Sequence, residues 1–184
     1  DRMRNLIEDL LSYARLDKSG EAPGPLALED VLSVAIDNLN TNIRDTRADV
    51  TVEIDNAPVI VGDNIRLARL FQNLIANAIK FNEPDVAPRI HISFQDGDIS
   101  GASGKWIVRI KDDGIGIHPD HHDMLFNLFQ RLNTRDEFEG SGIGLAVCKK
   151  IAEQHGGRIW FDSVYGEGST FYVALNKADP LSLA

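Results

Sequence analysis

The chain has 184 residues, of which 43% are hydrophobic, and a formal net charge of -9. This length and apolar content suffice for one domain with a sizeable core and a short appendage. The acidic balance argues against a nucleic-acid groove or an anionic membrane surface, both of which need clustered Lys and Arg. The single cysteine, Cys148, excludes an internal disulfide and suits a reducing compartment. No apolar run approaches the roughly 20 residues of a membrane span, so we expect a soluble, cytoplasmic domain of a protein that is either cytoplasmic or membrane-attached.

The first half of the chain predicts three helices and one strand. Apolar side chains recur at three- and four-residue intervals over residues 1–17, which predicts an amphipathic helix. Residues 18–25 are rich in Gly and Pro and are predicted to be a linker, so this helix stands apart from the rest of the chain. A second helix is predicted from Leu28 to about Arg44, then a strand at 50–54, then a long helix capped by Asp63 that runs to about Phe81.

The second half predicts strands and short helices without regular alternation. Strands are predicted at 89–94, 105–111, 158–161 and 169–175, a short helix at 119–129, and a glycine-led helix that ends near His155. The first two of these strands have hairpin-like spacing. We therefore expect an α+β fold, a two-layer sandwich in which helices cover one face of a mixed sheet, preceded by the separate N-terminal helix.

The long helix carries Asn73, Asn77 and Lys80 on one polar face, away from its apolar face. A solvated stripe would also explain such a face. Amide oxygens can ligate a hard cation, however, and a lysine can meet a phosphate. We therefore interpret these three residues as candidate ligands of a magnesium nucleotide.

The strand over residues 105–111 alternates, which places Asp112 at the end of its inward-facing apolar row. An unpartnered buried carboxylate is costly, so this carboxylate should accept hydrogen bonds, and an adenine amine is a suitable donor. A turn-capping role is the alternative. Gly114 and Gly116, the next two glycines of the chain, would permit close backbone approach to a flat base. The loop is thus a candidate base-recognition site.

A glycine-rich turn opens the last predicted helix. Gly140, Gly142 and Gly144 place bare backbone N–H groups at a helix N-terminus, where the helix dipole favours phosphate. Position 145 lacks the glycine of a dinucleotide fingerprint, and no Gly-Lys-Ser/Thr comes after it, so neither a Rossmann site nor a P-loop is indicated. In the polar segment 131–139 just before this turn, Arg131 and Arg135 are candidates to fold over a γ-phosphate as part of a lid.

Three histidines are assigned no chemistry. His121 and His122 invite a metal site, but neighbouring residues on a helix diverge by about 100° and no third ligand is evident nearby. We expect a solvated helix face there. His155 falls in the last turn of the glycine-led helix, where a cation suits the dipole. Cys148, on the same helix, is expected to be a small core residue.

Four motifs occur in a fixed order along the chain: Asn73–Lys80, Asp112–Gly116, Phe126–Phe129 and Gly140–Leu145. In this order they resemble the N, G1, F and G2 boxes of the catalytic ATP-binding domain of sensor histidine kinases, within the superfamily of DNA gyrase B, the HSP90 chaperones and MutL. The resemblance covers residues 26–176, leaves 177–184 as a tail, and looks most like phytochrome-type or hybrid kinases. Residues 1–17 resemble the end of the second helix of the dimerisation and phosphotransfer hairpin.

The resemblance implies the Bergerat sandwich fold, ATP and Mg²⁺. Asn77 would ligate Mg²⁺, Asp112 would hold the adenine amine, and the groups that act on the phosphates would be Asn73, Lys80 and Arg135. The nucleotide contacts implied besides these are Phe81, Gly114, Gly116, Ile117, Arg131, Gly140, Ser141, Gly142, Gly144, Leu145 and Thr170.

The implied partners are the histidine-bearing hairpin of the same kinase, a response-regulator receiver domain and a second copy in a full-length homodimer, with no nucleic acid. The accepting histidine is not in this chain. An ATPase or ATP-driven switch of the gyrase and chaperone kind is the alternative, but those relatives carry a water-activating Glu where this helix has Asn73, and an amide cannot take a proton. A nucleotide-insensitive dimer module is a third reading, for which degraded motifs would be expected.

Overall fold

The structure is a computed structural model that describes residues 22–53, 58–97, 102–129 and 142–183, together with Leu10, Leu11 and Ala14. The strands are β1 (Gly24–Ala27), β2 (Asp49–Val52), β3 (Val59–Gly62), β4 (Arg89–Asp96), β5 (Lys105–Asp112), β6 (Arg158–Val164) and β7 (Gly168–Asn176). The α-helices are α1 (Leu28–Asp37), α2 (Asn40–Thr46), α3 (Asn64–Lys80) and α4 (Gly144–Gln154), and 3-10 helices cover Pro119–Met124 and Pro180–Leu183.

Five strands form one mixed sheet in the order β2-β4-β5-β7-β6. The β2–β4 pair is parallel and the other three pairs are antiparallel. The helix α3 packs against both α1 and α4, and the apolar side chains of these helices share one core with the inward side chains of the sheet. The predicted α+β sandwich with a mixed sheet is confirmed. No helix in the described ranges is long and apolar enough to cross a membrane.

The helix α3 is the central element of the core. Its predicted apolar face is buried at every position, namely Leu67, Leu70, Phe71, Leu74 and Ala78. Complete burial of a side chain such as Phe71 contributes about 1.5–3 kcal/mol. The predicted cap is also present, because the Asp63 carboxylate accepts the backbone N–H of Arg66 at 3.1 Å. A rigid, deeply packed α3 therefore presents its polar face from a fixed position.

One prediction about the first half of the domain is wrong, and two strands there were not predicted. The segment predicted as one helix from Leu28 to Arg44 is two helices, broken at Asn38 and Leu39. The break lies in an Asp-Asn-Leu-Asn run, whose short polar side chains compete for backbone hydrogen bonds and disfavour a helix interior. The sequence also did not predict β1 and β3, which pair with each other antiparallel in a small second sheet.

Regular structure lies on both sides of the predicted domain edges. Gly24 and the adjacent Pro25, which were predicted in the linker, belong to β1. The predicted tail at 177–184 is packed on the domain at its start. There Lys177 bridges to Ile60, its Nζ lies 2.7 Å from an Asp96 carboxylate oxygen, and the Ala178 N–H donates to the Val59 carbonyl at 2.9 Å. The described residues of the predicted helix 1–17 are Leu10, Leu11 and Ala14, which are helical.

His155 and His122 make contacts inside the domain that were not predicted. His155 is buried; its Nε2 accepts the Asp63 N–H at 3.0 Å and its Nδ1 lies 2.7 Å from the Ile151 carbonyl oxygen. Because Nε2 is an acceptor, Nδ1 carries the proton, so the ring joins α4 to the start of α3 rather than serving as a cation at a helix end. His122 is half-buried against the ring of Phe161, which contradicts the predicted solvated face. The predicted helix there is a 3-10 helix over Pro119–Met124.

Candidate nucleotide-binding site

A cavity of about 250 Å³ lies between the polar face of α3 and one end of the main sheet. The residues that line it are Asn77, Ala78, Phe81, Asp112, Ile115, Gly116, Ile117, His118, His121, Leu125, Leu145, Tyr165, Ser169 and Phe171. Six of them were predicted from the sequence as nucleotide or metal contacts. Mostly apolar walls with a few convergent polar groups are typical of small-molecule sites.

Asp112 is the buried acidic group of this cavity, with 7% of its surface exposed. Its Oδ1 accepts the Gly114 backbone N–H at 2.9 Å, and the Ser169 backbone N–H also donates to the carboxylate. Burial raises the pKa of Asp112 to about 6; the two backbone hydrogen bonds oppose this rise, and the neighbouring Asp113 adds to it. The inward position predicted for Asp112 is confirmed. The Asp112 carboxylate is therefore a partly desolvated hydrogen-bond acceptor in the wall of the cavity.

The two loop glycines, Gly114 and Gly116, bring the loop close to the protein's own backbone. A Cβ on Gly114 would collide with the Phe81 carbonyl oxygen, and a Cβ on Gly116 would collide with the Val164 carbonyl oxygen. Gly116 also has a φ of 65°, which side chains disfavour. Glycine is therefore required at both positions so that the loop can pack between the end of α3 and the end of β6. The sequence did not reveal this structural reason for the two glycines.

The polar residues of α3 divide between the cavity and the α3–α4 contact. Asn77 and Phe81 line the cavity. Lys80 lies beside them, with its Nζ 4.5 Å from the centre of the Phe81 ring. Asn73 is one turn earlier, and its amide nitrogen lies 3.5 Å from the Gly144 carbonyl oxygen at the start of α4. The polar face predicted for α3 thus runs from the cavity to the glycine-led helix.

The N-terminus of α4 has an apolar N-cap, Ile143, which makes no side-chain hydrogen bond to the first backbone N–H groups. Helix N-termini without a side-chain cap favour anions. Leu145 lines the cavity from this same turn, whereas Gly142 and Gly144 do not. The predicted contacts Arg131, Arg135, Gly140 and Ser141 lie outside the described residues.

The structure brings Ser169 rather than the predicted Thr170 to the cavity. Side chains of a strand alternate between the two faces of the sheet, and Ser169 and Phe171 share the inward face of β7. Thr170 stays a predicted nucleotide contact, and it does not line this cavity. The same alternation that located Asp112 would have located Ser169, because Val173 and Leu175 continue its inward row.

Three aromatic rings at the cavity were also missed. The His118 ring centre lies 5.3 Å from that of Tyr165 and 6.1 Å from that of His121, both edge-to-face. Tyr165 is in the β6–β7 turn, which is fixed on the Asp112 loop by a hydrogen bond of 2.8 Å from the Gly166 N–H to the Ile115 carbonyl. No local sequence signal indicates that these segments meet, since they are about fifty residues apart.

Residues 62–179 match the model of a family described as "Histidine kinase-, DNA gyrase B-, and HSP90-like ATPase". The chain belongs to this family. It is 44% identical to cyanobacterial phytochrome A of Nostoc sp. over 94% of this chain and 22% of that protein. It is 31% identical to the circadian input-output histidine kinase CikA of Synechococcus elongatus over 94% of this chain and 23% of that protein. The chain thus spans less than a quarter of the length of these curated relatives.

The structure of a mycobacterial sensor histidine kinase, MprB, is also similar, with a TM-score of 0.68, 25% identity, and coverage of 83% of this chain and 97% of that chain. The predicted Bergerat sandwich and the predicted resemblance to phytochrome-type sensor kinases are confirmed by these likenesses. The domain is a histidine-kinase catalytic ATP-binding domain, and the gyrase and chaperone alternative has less support.

Proposed function

We propose that the chain supplies the catalytic half of a sensor histidine kinase, which transfers the γ-phosphoryl group of Mg-ATP to a histidine on the dimerisation and phosphotransfer hairpin of the same kinase. The observation that carries this proposal is the buried Asp112 carboxylate in an apolar-walled cavity, within a chain of this family.

The cavity suits an adenine base. The carboxylate of Asp112 accepts hydrogen bonds, and the 6-amino group of adenine donates them. Apolar side chains that can pack against the faces of a flat base surround this carboxylate, and they are Phe81, Ile115, Ile117, Leu145 and Phe171. A 6-amino purine would thus donate a hydrogen bond to the buried Asp112 carboxylate while its ring packs against the apolar wall of the cavity.

The groups proposed to hold the triphosphate come from α3, from the start of α4 and from the chain segment just before α4. Asn73 and Lys80 project from α3, and the uncapped N-terminus of α4 begins where Asn73 meets Gly144. Arg131 and Arg135, with Gly140 and Ser141, are proposed to complete the phosphate site. Phosphoryl transfer depends on positioning and charge neutralisation, which such groups supply.

Mg²⁺ is proposed to be held by Asn77 together with the phosphate oxygens. No group of three or more His, Cys, Asp or Glu that could hold a metal occurs among the residues that the structure describes. A single amide in the cavity suits Mg²⁺, which proteins bind mainly through substrate phosphates rather than in all-protein cages. When bound, Mg²⁺ would neutralise the negative charge of the phosphate oxygens.

The whole protein is proposed to act as a cytoplasmic or membrane-attached homodimer that passes the phosphoryl group to a response-regulator receiver domain. Water-directed ATP hydrolysis of the gyrase kind is disfavoured by Asn73. An amide cannot act as a general base at neutral pH, and the amide nitrogen of Asn73 lies 3.5 Å from the Gly144 carbonyl oxygen.

The test is incubation of the chain with ATP labelled on the γ-phosphate, with and without a separately supplied hairpin that bears an acceptor histidine. We expect label on the hairpin and none on this chain, and the label should be lost in acid and stable in base. Rapid phosphate release without a hairpin, or acid-stable label on this chain, would contradict the kinase proposal and favour the ATPase alternative.

A further inference from the structure

Three serine and aspartate side chains form a row across three neighbouring strands at the cavity. In the sheet register, Asp112 of β5 lies opposite Ser169 of β7, and Ser169 lies opposite Ser163 of β6. Asp112 and Ser169 line the cavity, whereas Ser163 lies behind Ser169 as seen from Asp112. Ser163 is therefore placed to influence the cavity only through its neighbours.

The Ser163 hydroxyl is fully occupied by hydrogen bonds. Its oxygen accepts the Ile117 backbone N–H at 2.8 Å, and its own proton is donated to the Gly168 carbonyl at 2.9 Å. The Ser169 hydroxyl oxygen lies 3.0 Å from the Ser163 oxygen. A hydroxyl has one proton and two acceptor lone pairs, so Ser163, having used its proton, can only accept from Ser169.

The Ser169 hydroxyl is consequently fixed as a donor to Ser163, and only its acceptor lone pairs remain for the cavity. Among the described hydrogen bonds, Ser163 is the one partner of this hydroxyl. Asp112, which accepts backbone N–H groups from Gly114 and Ser169, is an acceptor as well when ionised. The cavity therefore presents two acceptors side by side and no hydroxyl donor from Ser169.

We infer that Ser163 is a positioning residue for base selection: by taking the proton of Ser169 it makes the polar end of the cavity acceptor-only. This inference rests on the proposed function, in which the cavity takes the base of ATP. Adenine carries an amine with two donor hydrogens at C6, whereas a 6-oxo purine carries an acceptor oxygen there. A site made of acceptors pairs the amine and repels the oxygen. The N1–H that a 6-oxo purine also carries can pair with one acceptor, but its oxygen stays unpaired, and unpaired polar groups discriminate strongly.

Replacement of Ser163 by alanine should relax this selection. In the Ser163→Ala variant the Ser169 hydroxyl loses its acceptor and is free to turn its proton toward the cavity, where it can donate to a 6-oxo group. We expect the ratio of the Kd for Mg-ITP to the Kd for Mg-ATP to fall about tenfold, the effect of about one hydrogen bond. Ser163→Thr, which keeps the hydroxyl, should retain the ratio of the unmodified chain.

The experiment is isothermal titration calorimetry of the chain with Mg-ATP and with Mg-ITP, for the unmodified chain, Ser163→Ala, Ser163→Thr and Ser169→Ala. Ser93→Ala is the matched control, because Ser93 is a half-buried serine of β4 that does not line the cavity. The double variant Ser163→Ala with Ser169→Ala closes a thermodynamic cycle. If Ser163 acts through the Ser169 hydroxyl, Ser163→Ala should leave the ratio unchanged once Ser169 is alanine.

A parallel loss of affinity for both nucleotides in Ser163→Ala, with the ratio within twofold of the unmodified chain, would overturn the inference and leave Ser163 a purely structural residue. A change of ratio that persists in the Ser169→Ala background would overturn it too. If Ser163→Ala does not fold, the ratio is measured on Ser163→Cys, whose thiol is a weak hydrogen-bonding group. Failure of the unmodified chain to bind Mg-ATP would instead refute the proposed function itself.

Discussion

Replacement of Asp112 by asparagine should raise the stability of the domain while it removes nucleotide binding. The pKa of Asp112 is raised from 3.8 to about 6, chiefly by burial of the carboxylate. At about 1.4 kcal/mol per pKa unit, the charge costs the folded state about 3 kcal/mol at neutral pH. An asparagine avoids this cost, but its amide nitrogen faces one of the two backbone N–H donors. That donor then lacks an acceptor, which destabilises the folded state by about 1–2 kcal/mol.

The expected net gain is about 1–2 kcal/mol at pH 7.5, or a rise in Tm of roughly 2–8 °C for a chain of this size. The gain should depend on pH. The cost of the Asp112 charge is fully present above pH 6, and it is lost as the pH falls through 6 toward 3.8, because the folded protein then binds the proton. The advantage of Asp112→Asn should therefore shrink over that range.

Calorimetric Kd values and thermal unfolding at pH 7.5 and pH 5 measure both effects on the same samples. We expect the Kd for Mg-ATP to rise at least 100-fold at pH 7.5, because the amide presents a donor to the adenine amine. Asp113→Asn is a matched control for the Kd, since Asp113 is adjacent but half exposed and does not line the cavity. An unchanged Kd in Asp112→Asn would refute the assigned role, and a loss of stability at pH 7.5 would refute the desolvation argument.

Asn77→Ala should raise the Kd for ATP more than tenfold with Mg²⁺ and less than twofold in EDTA, because it removes a ligand oxygen; equal losses in the two titrations would speak against a metal role. Gly116→Ala should lower the free energy of unfolding by at least 2 kcal/mol more than the control Gly104→Ala, as measured by urea unfolding. Both glycines have a positive φ, but of the two only Gly116 faces a backbone oxygen. His155→Ala should cost about 2 kcal/mol by leaving the buried Asp63 N–H unpaired, with no change in the Kd for ATP; a changed Kd would show that the contact also shapes the cavity.

The sequence located the parts of the site that depend on local periodicity. The inward position of Asp112 was evident from alternation along β5, and the buried face of α3 was evident from its helical repeat. Ser169 was within reach of the same argument on β7, but the resemblance pointed to its neighbour Thr170. A shift of one residue on a strand moves a side chain to the opposite face, so these two neighbours differ in whether they face the cavity.

The rest of the site depends on long-range contacts that no local pattern encodes. The strands β1 and β3 have four residues each and are stabilised by pairing between Gly24 and Gly62, far apart in the chain. The ring of Tyr165 reaches the cavity only because its turn is bonded to Ile115. His155 was predicted from the helix dipole, whereas its position is decided by the backbone N–H of Asp63 on another element.

The polar groups proposed to read the base come from the register of the sheet rather than from its loops. Asp112, Ser169 and Ser163 are successive partners across β5, β7 and β6, and each points to the helix-covered face. Loops supply part of the wall of the cavity, and Gly116 lies in that part. A slip of one residue in either pairing would turn the partner serine to the open face. The strand register therefore aligns these three side chains, and the loop N–H groups of Gly114 and Ile117 complete their hydrogen bonds.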